Sequence, residues 1–254
     1  VTSSHLAPDD LEALLYDWHN FHSLVGQQAD IRYWLNETRA SDRILVLGAG
    51  TGRVAVPLAA RGTAVVVALD LSLARLARVP AMPWLARVCA NMTAIPFSGC
   101  FDSVVVPYSA FQLLRTHADR LRALRAAAGA LSGRGVLHID VSTSFDSRPG
   151  SGPQVILAEL CPELGEMVTE VTRCTRDADM LVLCKEFRGE AGDLVCSVEE
   201  RWSYFASIDF GGLLREAGLQ VSGIDHGYGG GRSAHRRVLH AFRSSRVTAD
   251  GKGA

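Results

Sequence analysis

The sequence predicts an α/β protein, a doubly wound parallel sheet with helices on both faces, carrying a small antiparallel β insert. Three observations predict it. Strand-like and helix-like segments alternate from residue 43 to 141. The first of those strands runs straight into a glycine corner, "RILVLGAGTGRVAVPLA". After "PGSGP" at 149–153 the alternation gives way to strand-like segments joined by short polar links, which force antiparallel pairing.

Pro8 and Asp9 open a helical pattern in which Leu11, Leu14, Leu15, Trp18 and Phe21 recur at helical spacing, so a first helix lays one apolar face on a neighbour. A second helix is expected over 28–38. Ile44 to Leu47 then form a short branched run suited to a strand buried on both faces. The expected order continues with a helix at 52–61, a strand at 64–70 and a short helix begun by Ser72 and ended before Pro80. Strands follow at 84–90 and 102–107, then a helix at 118–131 and a strand at 135–141. In the insert, 166–175, 180–188 and 194–205 read as three strands, with Leu194, Cys196, Val198, Trp202 and Tyr204 on one face interrupted by Glu200. A helix at 207–217 and strands at 219–225 and 237–243 close the fold. The expected division is a core of 1–151 and 206–245, with 1–39 as lid helices, an insert of 152–205, and a disordered tail of 246–254.

The chain has 254 residues, 26 Lys and Arg against 27 Asp and Glu, and a formal net charge of −1. With no basic block, neither nucleic acid nor an anionic membrane is an expected partner. No apolar run approaches the roughly 20 residues of a membrane helix. The six cysteines lack a C-x-x-C pair and lie far from paired histidines, so they read as reduced, mostly buried thiols of a cytoplasmic protein, and no metal is expected.

A strand, a glycine turn and a helix in that order make a nucleotide-binding corner: glycines let the turn tighten and let a ligand approach the backbone. The spacing here is G-x-G-x-G, with Arg53 where a dinucleotide motif places its third glycine, which weighs against a nicotinamide cofactor. Asp70 closes the second strand, where a carboxylate can accept from the two hydroxyls of a ribose. Asp70 with Ser72 is alternatively a helix cap.

"VLGAGTGRVAVPLAARG", "VVALDLS", "NM" after the third strand and "FDSVVVPYSAFQLL" after the fourth together resemble the class I S-adenosylmethionine-dependent methyltransferases, small-molecule type, from about Tyr16 to the last strand. The resemblance implies a Rossmann-like, seven-stranded mixed sheet whose last strand is antiparallel to the rest, with S-adenosyl-L-methionine as cofactor. It implies that the loop Gly48, Ala49, Gly50 and Gly52 holds the amino-acid end, Asp70 and Leu71 the ribose side, and Asn91 and Met92 the adenine. Pro107 and Tyr108 would face the methyl group. Relatives often carry Asp where this chain has Asn91, whose amide oxygen can still accept from the adenine amino group.

In a doubly wound sheet the acceptor lies beyond the carboxyl ends of the strands. That edge collects Tyr108, Phe111, Trp202, Tyr228 and, on the lid helix, His19 as expected substrate contacts, with Tyr108 and His226 as catalytic candidates. Tyr16 and Arg32 could reach the cofactor carboxylate. His138, inside a strand, reads as a satisfied core histidine. The expected function is methyl transfer to an oxygen or nitrogen of a small molecule, as in natural-product tailoring. A non-catalytic cofactor-binding regulator and a nicotinamide oxidoreductase stay open as alternatives. The insert's strand edges could pair across a homodimer or stay blunted by charges such as Glu199, Glu200 and Arg201.

Overall fold

The computed structural model describes residues 6–23, 28–144, 150, 152–228 and 235–244. Helices α1 (Pro8–Ser23) and α2 (Ala29–Glu37) lead into β1 (Arg43–Leu47), α3 (Ala55–Ala60), β2 (Val65–Asp70), α4 (Leu73–Ala77) and β3 (Leu85–Cys89). Next come β4 (Phe101–Val106), α5 (His117–Ala130) and β5 (Leu131–Ser142). Four strands, β6 (Gln154–Cys161), β7 (Glu166–Asp177), β8 (Met180–Arg188) and β9 (Leu194–Ser203), precede α6 (Phe210–Glu216), β10 (Leu219–Asp225) and β11 (Arg236–Arg243).

Seven strands form one sheet in the order β3-β2-β1-β4-β5-β11-β10. β1 pairs in parallel with both β2 and β4, while β11 is antiparallel to β5 and to β10, so the mixed sheet with one reversed strand is as expected. Leu45, Leu47, Leu69, Val104 and Ile139 pack with α5 and α6 on one face. Ile44, Val46, Val66 and Val105 pack with Trp34, Leu58 and Leu76 of α2, α3 and α4 on the other. Burial on both faces is why these strands are continuous apolar runs.

The insert is a second, wholly antiparallel sheet in the order β6-β7-β8-β9. It holds four strands where the sequence suggested three. β6 was missed because it is an edge strand exposed along nearly all its length, with a register shift between Val155 and Leu157, and so shows neither alternation nor a buried run. Leu11, Leu14, Leu15 and Trp18 of α1 close over Cys161, Leu164, Val168 and Phe187 of this sheet, and Trp18 Nε1 donates to the Leu160 carbonyl at 3.1 Å. Phe21 does not join the stripe; it is 68% exposed. The stripe runs on to His22, whose ring meets Trp18 at 5.5 Å. Glu200 interrupts the inner face of β9 because Lys185 stands 3.0 Å from it.

Other departures are local. α3 begins at Ala55 because the turn through Thr51 to Val54 prolongs the glycine corner. α6 begins at Phe210, where Asp209 accepts from the Gly212 N–H. No disulfide joins the six cysteines, but only Cys161 and Cys174 are buried. Among the described residues no helix is long and apolar enough to cross a membrane. The expected tail of 246–254 lies outside the described residues.

Trp18 anchors α1 to the insert by both ring and N–H. Trp18→Ala should lower unfolding free energy by about 3 to 5 kcal/mol, read by urea denaturation, while Trp18→Phe should recover most of the loss.

Candidate active site

β1 and β4 are neighbours whose connections leave in opposite directions, and the glycine corner sits at that switch point. Gly48, Gly50 and Gly52 all have left-handed backbone, with φ of +66°, +56° and +92°. At Gly48 the requirement is doubled, because a Cβ there would stand 2.7 Å from Ala110 Cβ. Any other residue would both strain the turn and push the loop after β4 away.

Asp70, at the end of β2, is held by two backbone donors. The Gly50 N–H donates to its Oδ2 at 2.7 Å and the Ser72 N–H to its Oδ1 at 2.8 Å. Ser72 separately caps α4, accepting from the Arg75 N–H at 3.2 Å, so the two readings of this pair are compatible. A carboxylate offers about four acceptor sites; two fix its orientation and two are left for ribose hydroxyls. Leu71, next in the chain, is 69% exposed, and Met92 lies half-buried against the core: an apolar floor that a purine would cover. The Asn91 side-chain oxygen already accepts from the Thr93 N–H and Oγ1, both at 2.9 Å, which leaves its amide N–H₂ the freer group toward a ligand. This donor set and the Cβ-free cradle fit an adenosyl cofactor.

Pro107 follows the end of β4, and the two residues after it are strained. Tyr108 and Ser109 have φ of +51° and +64°, conformations that cost of order 1 to 3 kcal/mol each in a non-glycine residue. Asp140 of β5, wholly buried, offsets that cost. Its Oδ2 accepts from the Tyr108 N–H at 2.8 Å, and its main-chain oxygen accepts from the Ser109 N–H at 3.2 Å. Arg236 donates to both carboxylate oxygens at 2.9 Å, and the Tyr228 hydroxyl donates to Oδ2. Burial, reinforced by the Asp140 charge, holds the Tyr228 phenol well above its ordinary pKa, so it remains a donor. The Tyr108 ring is flanked by the Arg53 and Arg236 guanidinium groups at 5.1 and 5.0 Å. Arg53, the residue in place of a third glycine, pairs with Asp30 of α2.

Tyr16 of α1 lies over the corner; its ring and hydroxyl are 3.4 Å from where a Gly50 Cβ would be. The Arg75 guanidinium stands 4.0 Å over that ring and is itself held by Glu12 at 2.6 Å. Burial raises the Tyr16 pKa against the opposing pull of Arg75, so the group is a phenol. On the other side Tyr16 lines a cavity of about 10 Å³ with Glu12, His19, Lys185, Phe187, Val198 and Glu200, room for about one water. His19 Nδ1 meets Glu170 Oε2 at 2.5 Å, and that carboxylate is 1% exposed. Burial alone would push Glu200 up, but the Lys185 ammonium, with the Trp202 indole and Arg75, brings it below the usual carboxylate range. Glu200 also lines an open groove of about 330 Å³ with Leu113, Arg115, Glu199 and Arg201, a volume within the small-ligand range.

The expected site residues therefore part company. Gly48, Ala49, Gly50, Gly52, Asp70, Leu71, Asn91, Met92, Pro107, Tyr108 and Tyr16 ring the carboxyl edge of β1, β2, β3 and β4. Trp202 is half-buried on β9 and donates to Glu200 at 3.2 Å. Phe111, expected at the pocket wall, is instead 1% exposed in the core and packed on Phe210 at 5.6 Å, because the turn after β4 folds it under the sheet. Arg32 is exposed on α2; from that helix it is Asp30 that reaches the corner. Tyr228 anchors Asp140, and His226 is exposed at the end of β10. Asp140, Arg236, Glu170 and Lys185 were not singled out by the sequence. Their only signal was a charged residue within a strand, as in "HIDV" or "LCKEF".

Residues 44–135 match the family described as "Methyltransferase domain". No curated protein matches the chain. Among solved structures, a S-adenosylmethionine-dependent methyltransferase from Clostridium acetobutylicum ATCC 824 superposes with a TM-score of 0.71 at 15% identity, covering 90% of this chain and 98% of that one. The sugar N-methyltransferase KedS8 from Streptoalloteichus sp ATCC 53650 gives 0.70 at 21%, with 90% and 92% covered. CalS10, an amino pentose methyltransferase from Micromonospora echinaspora solved with S-adenosylmethionine bound, gives 0.64 at 22%, with 88% and 92% covered. The fold is that of the class I methyltransferases. Residues 44–135, which carry the glycine corner and Asp70, thus match a methyltransferase domain, a match that favours S-adenosylmethionine over a nicotinamide cofactor.

Asp70→Ala should weaken binding of S-adenosylhomocysteine about 10- to 100-fold, since hydrogen bonds to a charged group are each worth roughly 1.5 to 3 kcal/mol. Calorimetry checks this, and an affinity within twofold of the parent would remove Asp70 from the ribose site.

Proposed function

We propose that this protein methylates an amine nitrogen of a small polar, sugar-like acceptor of the natural-product type. The observation that carries the reading is the His19–Glu170 dyad at the cavity shared by α1, the insert and Tyr16. An imidazole held by a buried carboxylate is a general-base unit, and Tyr16 is the wall between it and the glycine corner.

S-adenosylmethionine, when bound, supplies an electrophilic methyl on a sulfonium. The chain's own work is then alignment in a dry site, which is worth a large part of such a barrier. Tyr108, fixed by Asp140 and flanked by two guanidinium groups, positions the acceptor beside Pro107. The acceptor enters by the groove at Leu113 and Arg115, past Glu200. His19 takes the proton that the amine must lose before its lone pair can attack, and the Glu170 carboxylate beside it stabilises the imidazolium that forms. Support for nitrogen and for a sugar comes also from KedS8 and CalS10, described as a sugar N-methyltransferase and an amino pentose methyltransferase. Since the inner cavity holds about one water, α1 must shift outward to admit the acceptor.

The test is incubation with labelled cofactor and a panel of amino sugars, free and nucleotide-linked, read by mass spectrometry. One of them should gain a single methyl group. His19→Ala and Glu170→Gln should each lower kcat by about 10²-fold or more while leaving S-adenosylhomocysteine affinity unchanged. Full turnover by His19→Ala would overturn the base assignment. Cofactor binding with transfer to no amine or hydroxyl in the panel would overturn the enzyme reading.

A further inference from the structure

The buried seam between β5 and β11 holds a cluster that methyl transfer does not use. His138 and His240 are direct cross-strand partners, 4% exposed in the first case and half-buried in the second. Their Nδ1 atoms face each other at 2.9 Å, with the rings nearly perpendicular at 85°. The Glu37 carboxylate, at the end of α2, completes a triad whose ligand atoms all lie within 4.8 Å of one another. We propose that His138 Nδ1, His240 Nδ1 and Glu37 bind one divalent transition-metal ion, zinc by their chemistry, which staples α2 to the β5–β11 seam.

Two nitrogen ligands at about 2.0 to 2.1 Å from a tetrahedral zinc lie roughly 3.3 Å from each other, so the two imidazoles need to part by only a few tenths of an ångström. Both rings are already held from behind. His240 Nε2 is 3.3 Å from Asp225 Oδ2, which also accepts from the Tyr33 hydroxyl at 2.7 Å. His138 Nε2 is within 3.5 Å of Ser103 Oγ. A carboxylate behind the remote nitrogen is the usual way a metal-ligating histidine is oriented and made more basic. In the metal-free pair one Nδ1 must carry the proton that joins the two rings. With Asp225 accepting from His240 Nε2–H, that proton is on His138. On binding, the ion replaces it, and it moves to His138 Nε2, where Ser103 Oγ accepts it.

Charge and ligand chemistry agree. A dication with two neutral imidazoles, Glu37 and Asp225 sums to zero, which favours seating it against the buried His138 at the inner end of a site whose carboxylates reach the surface. Two imidazoles and one carboxylate select a borderline ion over magnesium or calcium. Three protein ligands leave a fourth position for water. Trp34, three residues before Glu37 on the same helix and 1% exposed, has its ring against His138 at 6.3 Å and an indole N–H with no partner; a metal-bound water is the kind of acceptor it lacks. Sequence spacing could not reveal the site, because the two histidines are 102 residues apart. The ion would be structural: His138 lies two residues from Asp140 on the same face of β5, and α2 carries the Asp30 that holds Arg53.

The proposal is independent of methyl transfer and is tested without it. Chelator-stripped protein is titrated with zinc against a chromogenic chelator, and its thermal midpoint is followed. One zinc per chain should bind at submicromolar Kd and raise the midpoint by about 5 °C at a hundredfold excess over Kd. Glu37→Gln, an exposed change that keeps the histidine pair, should weaken binding at least tenfold. His240→Gln should abolish it, and cobalt in place of zinc should show the visible band of a tetrahedral centre. His117→Ala, at an exposed histidine paired with Glu216, should change nothing. Absence of stoichiometric zinc in the parent protein, or equal binding by the parent and Glu37→Gln, would overturn the site.

Discussion

The carboxylate of Asp140 is the interaction on which the carboxyl edge of the sheet beside the glycine corner depends. It is wholly buried, and a lone charge there would be untenable. Arg236 from β11, Tyr228 from the segment after β10 and the main chain of Tyr108 all converge on it. One group thereby couples the reversed strand of the sheet to the strained turn after β4. Remove the acceptor and Arg236 becomes an uncompensated, half-buried cation while Tyr108 loses the bond that holds its left-handed backbone.

Around this hub the interior charges come in pairs. Glu12 with Arg75, Glu170 with His19 and Glu200 with Lys185 line the space between α1 and the insert. The Arg75 and Lys185 cations neutralise carboxylates that the low-dielectric interior would otherwise reject, while His19 gives Glu170 a hydrogen-bonding partner. The division of labour follows from where the pairs sit. The glycine corner and Asp70 are set by backbone geometry, which suits a cofactor common to many proteins. The insert contributes side chains on strands outside the main sheet.

Much of the fold was legible because burial on both faces leaves a simple mark: "ILVL", "VVVAL" and "SVVV" could hardly be anything but central strands. The glycine corner was legible because three left-handed positions in five residues admit little else. What escaped did so for stated reasons. β6 has no buried face and hence no pattern. Phe111 and Phe21 have the right residue type, but the turn after β4 and the end of α1 send them to the core and to solvent respectively. Asp140 and Arg236, like His138 and His240, meet only through the pairing of β5 with β11, a register that no local spacing encodes.

The seating of α1 on the insert carries a consequence for biosynthesis. The bond from Trp18 to Leu160 spans 142 residues, so α1 leaves the ribosome long before the partner it packs on. Until β6, β7 and β8 have emerged, its leucines face water or a chaperone. β1 to β5 can meanwhile pair into the parallel part of the main sheet, whose completion waits on β11 and β10, translated after the insert.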